Sequence, residues 1–284
     1  MINIFQRHWH SSTRLNPPRP NIDTPVPGEI IAETIYGDTD NEVGVRLLLD
    51  PGTFKIQEAF WETYSLPVTT QKLPQLLGET AYFNVGGAIN KLAAEFSPET
   101  GRLLRTLLNE TVGCVILTEP FMTKERGYTK YSDYRIYWDE IYVDVCRYYS
   151  RLATDSELWD YSAFNRTEVL FNRFAQQSVF ALSDGSWHIT AAYRDTFHEI
   201  SVLLDIDKSF VVTKAIGRLV RTPHQVCPGA ADYMERLIGY DARDFSRKPL
   251  VPILGAGDGC VHLIDTVCDA LTALNMAASR QNAV

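Results

Sequence analysis

The chain has 284 residues, 45% hydrophobic and 22% charged, an ordinary balance with enough length for one large or two small cores. Its net charge of −8 argues against nucleic acid or an anionic membrane as partner, because either would want a basic patch. No run of about 18 apolar residues could cross a membrane. Met1 to Pro20 carries His8, Trp9, His10, Arg14 and Arg19 without an apolar signal core, so the expected location is the cytoplasm.

Residues 1–29 are rich in proline and polar side chains and read as an N-terminal arm. From Ile30 the pattern becomes strand-like, over 30–36, 43–49 and 54–64, broken at Gly37-Asp38 and Asp50-Pro51-Gly52. A helix is expected over 88–96, and Ser97-Pro98 starts another that carries Leu103, Leu104, Leu107 and Leu108. Residues 128–175 form a Tyr-rich connector in which Tyr131, Tyr134, Trp138, Ile141, Val145 and Tyr149 recur at helical spacing. That stripe either packs the chain together or lines an aromatic pocket.

The second half echoes the first. Strands are expected over 187–193, 199–205 and 210–220, then a helix over 230–238 stopped by Gly239, and a last helix from Cys260 to about Ala277. Tyr36-Gly37-Asp38-Thr39 matches Tyr193-Arg194-Asp195-Thr196, and Gly113-Cys114-Val115 matches Gly259-Cys260-Val261. The expected fold is therefore α+β: two related domains, 30–127 and 176–284, each a three-stranded antiparallel meander packed by helices, about a pseudo-twofold.

Chemistry-bearing residues concentrate in Gly259-Cys260-Val261-His262-Leu263 and Cys227-Pro228-Gly229-Ala230. Five cysteines without an export signal do not suggest a disulfide framework. Cys260 and Cys227 at helix starts would gain thiolate character from unpaired N–H groups and the helix dipole. With His262 they would suit a soft divalent ion, zinc or iron, with Asp258 or Asp195 adding an oxygen. Alternatively the thiols are core residues and His262 caps its helix. His188 and His198, on strands, read as surface or satisfied polar residues, and His224 as a turn cap or an additional ligand. Tyr193 and its counterpart Tyr36 mark a shared pocket, and Arg218 and Arg221 are the candidate anchors for an anionic substrate. In the first half, Val85 and Ile116 take the places of Cys227 and His262.

Cys227-Pro228-Gly229-Ala230, Leu237-Ile238-Gly239 and Gly259-Cys260-Val261-His262-Leu263 give the segment from about Ser186 to Leu274 its resemblance to the bacterial domain-of-unknown-function family 2889. Members usually show Gly-Cys-Thr-His-Leu at the last motif. The order of three strands, a Cys at one helix start and a later Cys at another is also similar, more distantly, to iron–sulfur scaffold and sulfur-acceptor proteins. That likeness implies an α+β sandwich, and its third cysteine position, near Arg194-Asp195, carries no cysteine.

Two functions follow as expectations. The first is a catabolic non-redox lyase without a cofactor, expected to act on a small aromatic or hydroxylated compound by decarboxylation or aldehyde loss in a cleft between the two repeats. Its acid–base work falls to His262 and Tyr193 with Cys260 beside them, Arg221 and Arg218 hold an anion, and Tyr36, Tyr134 and Trp138 line the pocket. The family's occurrence in bacteria with broad catabolic repertoires supports it. The second is a metal- or sulfur-binding carrier built on Cys227, Cys260 and His262. A small-molecule substrate is the expected partner, nucleic acid and membrane are not, and a homodimer is left open.

Overall fold

Alternation of apolar and polar residues lays down the strands, and helices cover one face of each ladder. The computed structural model describes residues 1–16, 28–151, 166 and 168–281. In chain order the strands and α-helices are β1 (Ile2–Asn16), β2 (Glu29–Asp38), β3 (Glu42–Leu49), β4 (Ile56–Thr63), β5 (Thr69–Lys72), α1 (Gly86–Ala93), α2 (Pro98–Thr118), α3 (Tyr131–Tyr142), β6 (Val169–Ala181), β7 (Trp187–Asp195), β8 (Glu199–Ile206), β9 (Val212–Arg221), α4 (Arg247–Ile253) and α5 (Val261–Gln281). The fold is α+β with antiparallel ladders. No helix among the described residues is long and apolar enough to cross a membrane. The arm's prolines, and Trp159 and Tyr161 of the Tyr-rich connector, lie outside the described residues.

The chain divides into two compact units: the described residues of Met1–His8, Tyr137–Trp159 and Phe174–Val284, and those of Trp9–Ile136 and Asp160–Arg173. In the second of these the strands run in the order β5-β4-β3-β2-β1-β6, and α2 packs on β2 and β3. In the first, the order is β1-β6-β7-β8-β9, and α5 packs on β7 and β8. The antiparallel ladders do not stop at the three strands expected of each domain: β5, β1 and β6 extend them.

Two of the additional strands have identifiable reasons for escaping a reading of the sequence. The segment expected to be an arm begins as a fifteen-residue strand, β1. Beside Phe5 and Trp9, three of its inward positions are polar: Arg7, Ser11 and Thr13 are buried. In one unit Arg7 donates to Gln177 Oε1 at 2.7 Å and to Asp269 Oδ1 at 2.9 Å. In the other, Ser11 shares a hydrogen bond with Thr34 at 2.8 Å. Buried polar groups are tolerated when partnered in this way, and such partners are invisible to hydrophobic patterning. Strand β6 straddles the boundary expected at residue 175, and Asn172, Arg173, Gln176, Gln177 and Ser178 interrupt its apolar residues.

The first unit's β7 shows the simplest local logic. Trp187, Ile189, Ala191, Tyr193 and Asp195 are buried at every second position, as the period of a strand requires. Tyr193 pairs with Ile200, which pairs with Leu219, so all three share the buried face. Ala192, Ser201 and Arg218 pair in the same way on the exposed face.

Candidate active site

The turn joining β7 to β8 is closed by Asp195, whose N–H donates to His198 O at 2.9 Å. Asp at the first position of a tight turn folds its carboxylate back onto the following N–H groups. Asp195 Oδ1 accepts from the N–H groups of Phe197 at 2.7 Å and His198 at 2.6 Å. Its Oδ2 accepts from the Tyr193 hydroxyl, two residues back on the same face, at 2.8 Å. The His198 ring completes the arrangement, with Nδ1 at 3.1 and 3.2 Å from the two carboxylate oxygens. The Asp195 side chain is wholly buried and that of His198 is 12% exposed.

His262 arrives from the first turn of α5. Its ring centroid lies 4.1 Å from that of His198 and 5.1 Å from that of Tyr193. Burial pushes the Asp195 carboxyl up, but the neighbouring His198 and His262 and the Tyr193 hydroxyl outweigh it and hold the group well below the usual carboxylate range. Donor atoms of Asp195, His198 and His262 all lie within 4.8 Å of one another, a set able to hold a metal ion.

The turn's own comparison fixes the His198 tautomer. In the β2–β3 hairpin, Asp38 makes the same frame: Oδ1 accepts from Asp40 N and Asn41 N, both at 2.7 Å, and Oδ2 from the Tyr36 hydroxyl at 2.7 Å. There the Asn41 amide nitrogen, which can only donate, occupies the place of His198 Nδ1, at 3.2 and 3.4 Å from the carboxylate oxygens. We therefore assign the proton of a neutral His198 to Nδ1, which leaves Nε2 as the basic nitrogen.

Three sequence expectations change here. Tyr193 belongs to the site, but its hydroxyl is committed to Asp195 and steadies that carboxylate. Arg221 supports the turn from outside, donating to the carbonyls of Asp195 and His198. Arg218 stands on the opposite, exposed face of the sheet from Tyr193. Conversely His198, expected to be a surface or satisfied polar residue, is central, with its Nδ1 on Asp195. Its Tyr-x-Asp-x-x-His spacing was the available signal, and single-residue weighing overlooked it.

The thiols take a different place. Cys260 sits immediately before α5 and receives backbone hydrogen bonds from Leu263 and His262, yet burial dominates and pushes its thiol up to about 12. Cys227, at the start of a 3₁₀ run (Cys227–Leu237), is pushed up to about 11 by burial, with Cys146 adding to the effect. These are protonated packing thiols at neutral pH, in line with the core alternative and not with thiolates, and neither belongs to the metal-compatible group found among the described residues.

What the Cys-Pro-Gly-Ala and Gly-rich motifs do is seat residues 142–151. Arg147 N–H donates to Gly259 O at 2.9 Å, its Nε to Val226 O at 2.8 Å, and a terminal nitrogen to Asp258 Oδ2 at 2.8 Å. A Cβ on Gly229 would stand 2.9 Å from the Arg147 guanidinium, and one on Gly259 only 2.1 Å from Leu254 O. Trp138 Nε1 donates to the Tyr149 hydroxyl at 2.8 Å, and the Tyr142 ring stacks on that of Tyr149 at 5.3 Å. These rings pack on one another in their unit. Tyr36 and Tyr134 fall in the other unit, where the Tyr134 ring meets those of Tyr128 and Tyr131. His188 pairs with Asp205 on the exposed face, and His224 Nδ1 accepts from Val226 N, a turn cap.

The Gly113-Cys114-Val115 echo has no matching place in the fold. Gly113 and Ile116 lie within α2, near its end, whereas Gly259 precedes α5 and His262 is in its first turn. Ile116 therefore does not stand where His262 stands.

No curated protein and no solved structure matches the chain. A family model does match, over a stretch that contains β7, β8, β9 and every residue of the Asp195 cluster. Residues 171–275 match the model of the family described as "Protein of unknown function (DUF2889)".

Proposed function

We propose that the protein is an enzyme of non-redox lyase type, in which His198 is the general base. The substrate class is a small hydroxylated aromatic compound. One observation carries the reading: a nearly buried imidazole has Nδ1 held by a buried carboxylate and a second imidazole tilted beside it, with ring centroids 4.1 Å apart. A carboxylate in this position fixes the ring's orientation and tautomer and stabilises the imidazolium that forms when Nε2 takes a proton.

In the proposed step a substrate hydroxyl gives its proton to His198 Nε2. The C–O bond becomes a carbonyl as the adjacent C–C bond breaks, and the electron pair passes to a carbon conjugated with the ring. That carbon takes one proton back from the imidazole pair, so an aldehyde leaves and no electron is gained or lost. In the decarboxylating version the departing group is carbon dioxide, and the same carbon is protonated. His262 serves as the second imidazole that can return the proton, and the rings of Tyr193 and Phe197 flank the pair. The aromatic preference draws on these ring faces and on the catabolic setting that the family resemblance implies.

The test is aldehyde or carbon dioxide release from a panel of hydroxylated aromatic compounds, comparing the wild type with His198→Asn and His188→Asn. The second variant breaks a histidine–carboxylate pair on the exposed face and serves as the control. Release by the wild type and His188→Asn, with loss in His198→Asn, is the expected result. Undiminished release from His198→Asn would remove the base assignment.

A further inference from the structure

The geometry points to a second occupant of the same cluster: a divalent transition-metal ion of the zinc or cobalt kind, held by Asp195 Oδ2, His198 Nδ1 and His262 in competition with the His198 Nδ1 proton. The site stands on geometry alone, and only its effect on turnover rests on the acid–base reading above.

The separation of His198 Nδ1 from Asp195 Oδ2 is 3.2 Å. Metal–nitrogen and metal–oxygen bonds of about 2.0–2.2 Å place neighbouring ligand atoms roughly 3.0–3.6 Å apart, so one ligand edge is already formed. His262 comes from a separate element, with its donor atom within 4.8 Å of both others. Two imidazoles and one carboxylate are a borderline donor set that favours zinc and its first-row neighbours over magnesium or calcium. The carboxylate is held from behind: Oδ1 takes two backbone N–H groups and Oδ2 takes the Tyr193 hydroxyl, the kind of outer support that metal-binding carboxylates have. Asp195 is wholly buried, which strengthens its pull on a cation.

Metal and proton exclude one another at Nδ1. With the ion in place the remaining ring proton moves to Nε2, and His198 has no basic nitrogen to offer. A zinc-loaded protein is thus expected to be catalytically silent, and removal of the ion to restore activity.

The experiment is a titration of the chelator-stripped full chain with cobalt(II), followed by its visible absorption, and with zinc(II) by calorimetry. His262→Asn, His198→Asn and Cys260→Ala are titrated beside the wild type. Asn41 in the β2–β3 hairpin shows that asparagine fits this frame, so His198→Asn keeps its fold; far-UV circular dichroism checks both histidine variants. The expected result is one equivalent of ion with weak, thiolate-free cobalt bands, and affinity reduced by about tenfold or more in each histidine variant but not in Cys260→Ala. No saturable binding overturns the site. So does an intense thiolate-to-cobalt band lost in Cys260→Ala, which would return the metal to the cysteines. Turnover of the stripped protein is read separately: activity that depends on His198 without metal binding removes this site alone, and binding without any such activity removes the acid–base reading alone.

Discussion

The β2–β3 and β7–β8 hairpins share one hydrogen-bonded frame and differ in what it carries. In each, an Asp at the turn's first position gathers two backbone N–H groups and a Tyr hydroxyl from two residues upstream. In one the frame is closed by Asn41, a spent donor, and the Asp38 carboxylate is partly exposed. In the other it is closed by His198, whose second nitrogen remains chemically available, around a wholly buried carboxylate. The same local architecture is thus a structural turn in one unit and a candidate catalytic group in the other. The difference lies in one side chain and in what α5 brings beside it.

The sharpest way to break this comparison is to make the second hairpin a copy of the first. His198→Asn should preserve the frame and the fold while lowering turnover by about 10²–10⁴, the contribution typical of a general acid or base. Thermal unfolding close to wild type beside lost activity is the diagnostic pair.

Next in size is a glycine contrast. Gly259→Ala places a Cβ 2.1 Å from Leu254 O and must displace backbone, for a loss of roughly 1–3 kcal/mol or more. Gly113→Ala, inside α2, meets only the Arg173 guanidinium at 3.4 Å and should gain about 0.5–1 kcal/mol from helix propensity. Urea midpoints of opposite sign would separate two motifs that look alike as letters.

A third comparison sets Asp195→Asn against Asp38→Asn. Removing a buried carboxylate that accepts several hydrogen bonds should cost about 1.5–3 kcal/mol at neutral pH, and the exposed Asp38 less. The pH dependence has a definite sign. Because the folded state holds the Asp195 carboxyl below its unfolded value, the unfolded chain binds the proton more readily. Its stabilisation is complete above the ordinary carboxylate range, near about 3.9, and is lost as pH falls from there toward the folded value. Acid unfolding curves of Asp195→Asn should lack that increment. Curves that superimpose on wild type between neutral and acid pH would contradict the assignment.

The smallest effect belongs to Arg147→Ala. Its half-exposed partner Asp258 makes the ion pair worth only about 0.2–1 kcal/mol, and loss of the bond to the Val226 carbonyl adds about 0.5–1.5 kcal/mol. Faster proteolysis within 142–151 with an unchanged global midpoint would show that this residue seats the segment locally.

Most of the strands were legible in the sequence for a physical reason: alternation of buried and exposed side chains is a property of neighbours along the chain. Strands 30–36, 43–49, 187–193 and 199–205 reappear within β2, β3, β7 and β8, and the α+β class with them. Tyr193, His262 and Arg221 stand out in the sequence as residue types near turns and helix starts, but not the partners that Tyr193 and Arg221 take. Tertiary structure decided what neighbours along the chain cannot. It buried β1 through polar partners far away in sequence, and it raised the Cys227 and Cys260 thiols because desolvation outweighs a helix start. It placed Gly113 inside a helix while Gly259 stands before one. Above all, it brought α5 against β7, so that His262 meets His198 across 64 positions of chain. A local pattern can specify a turn, but only packing can select which turn acquires a second imidazole.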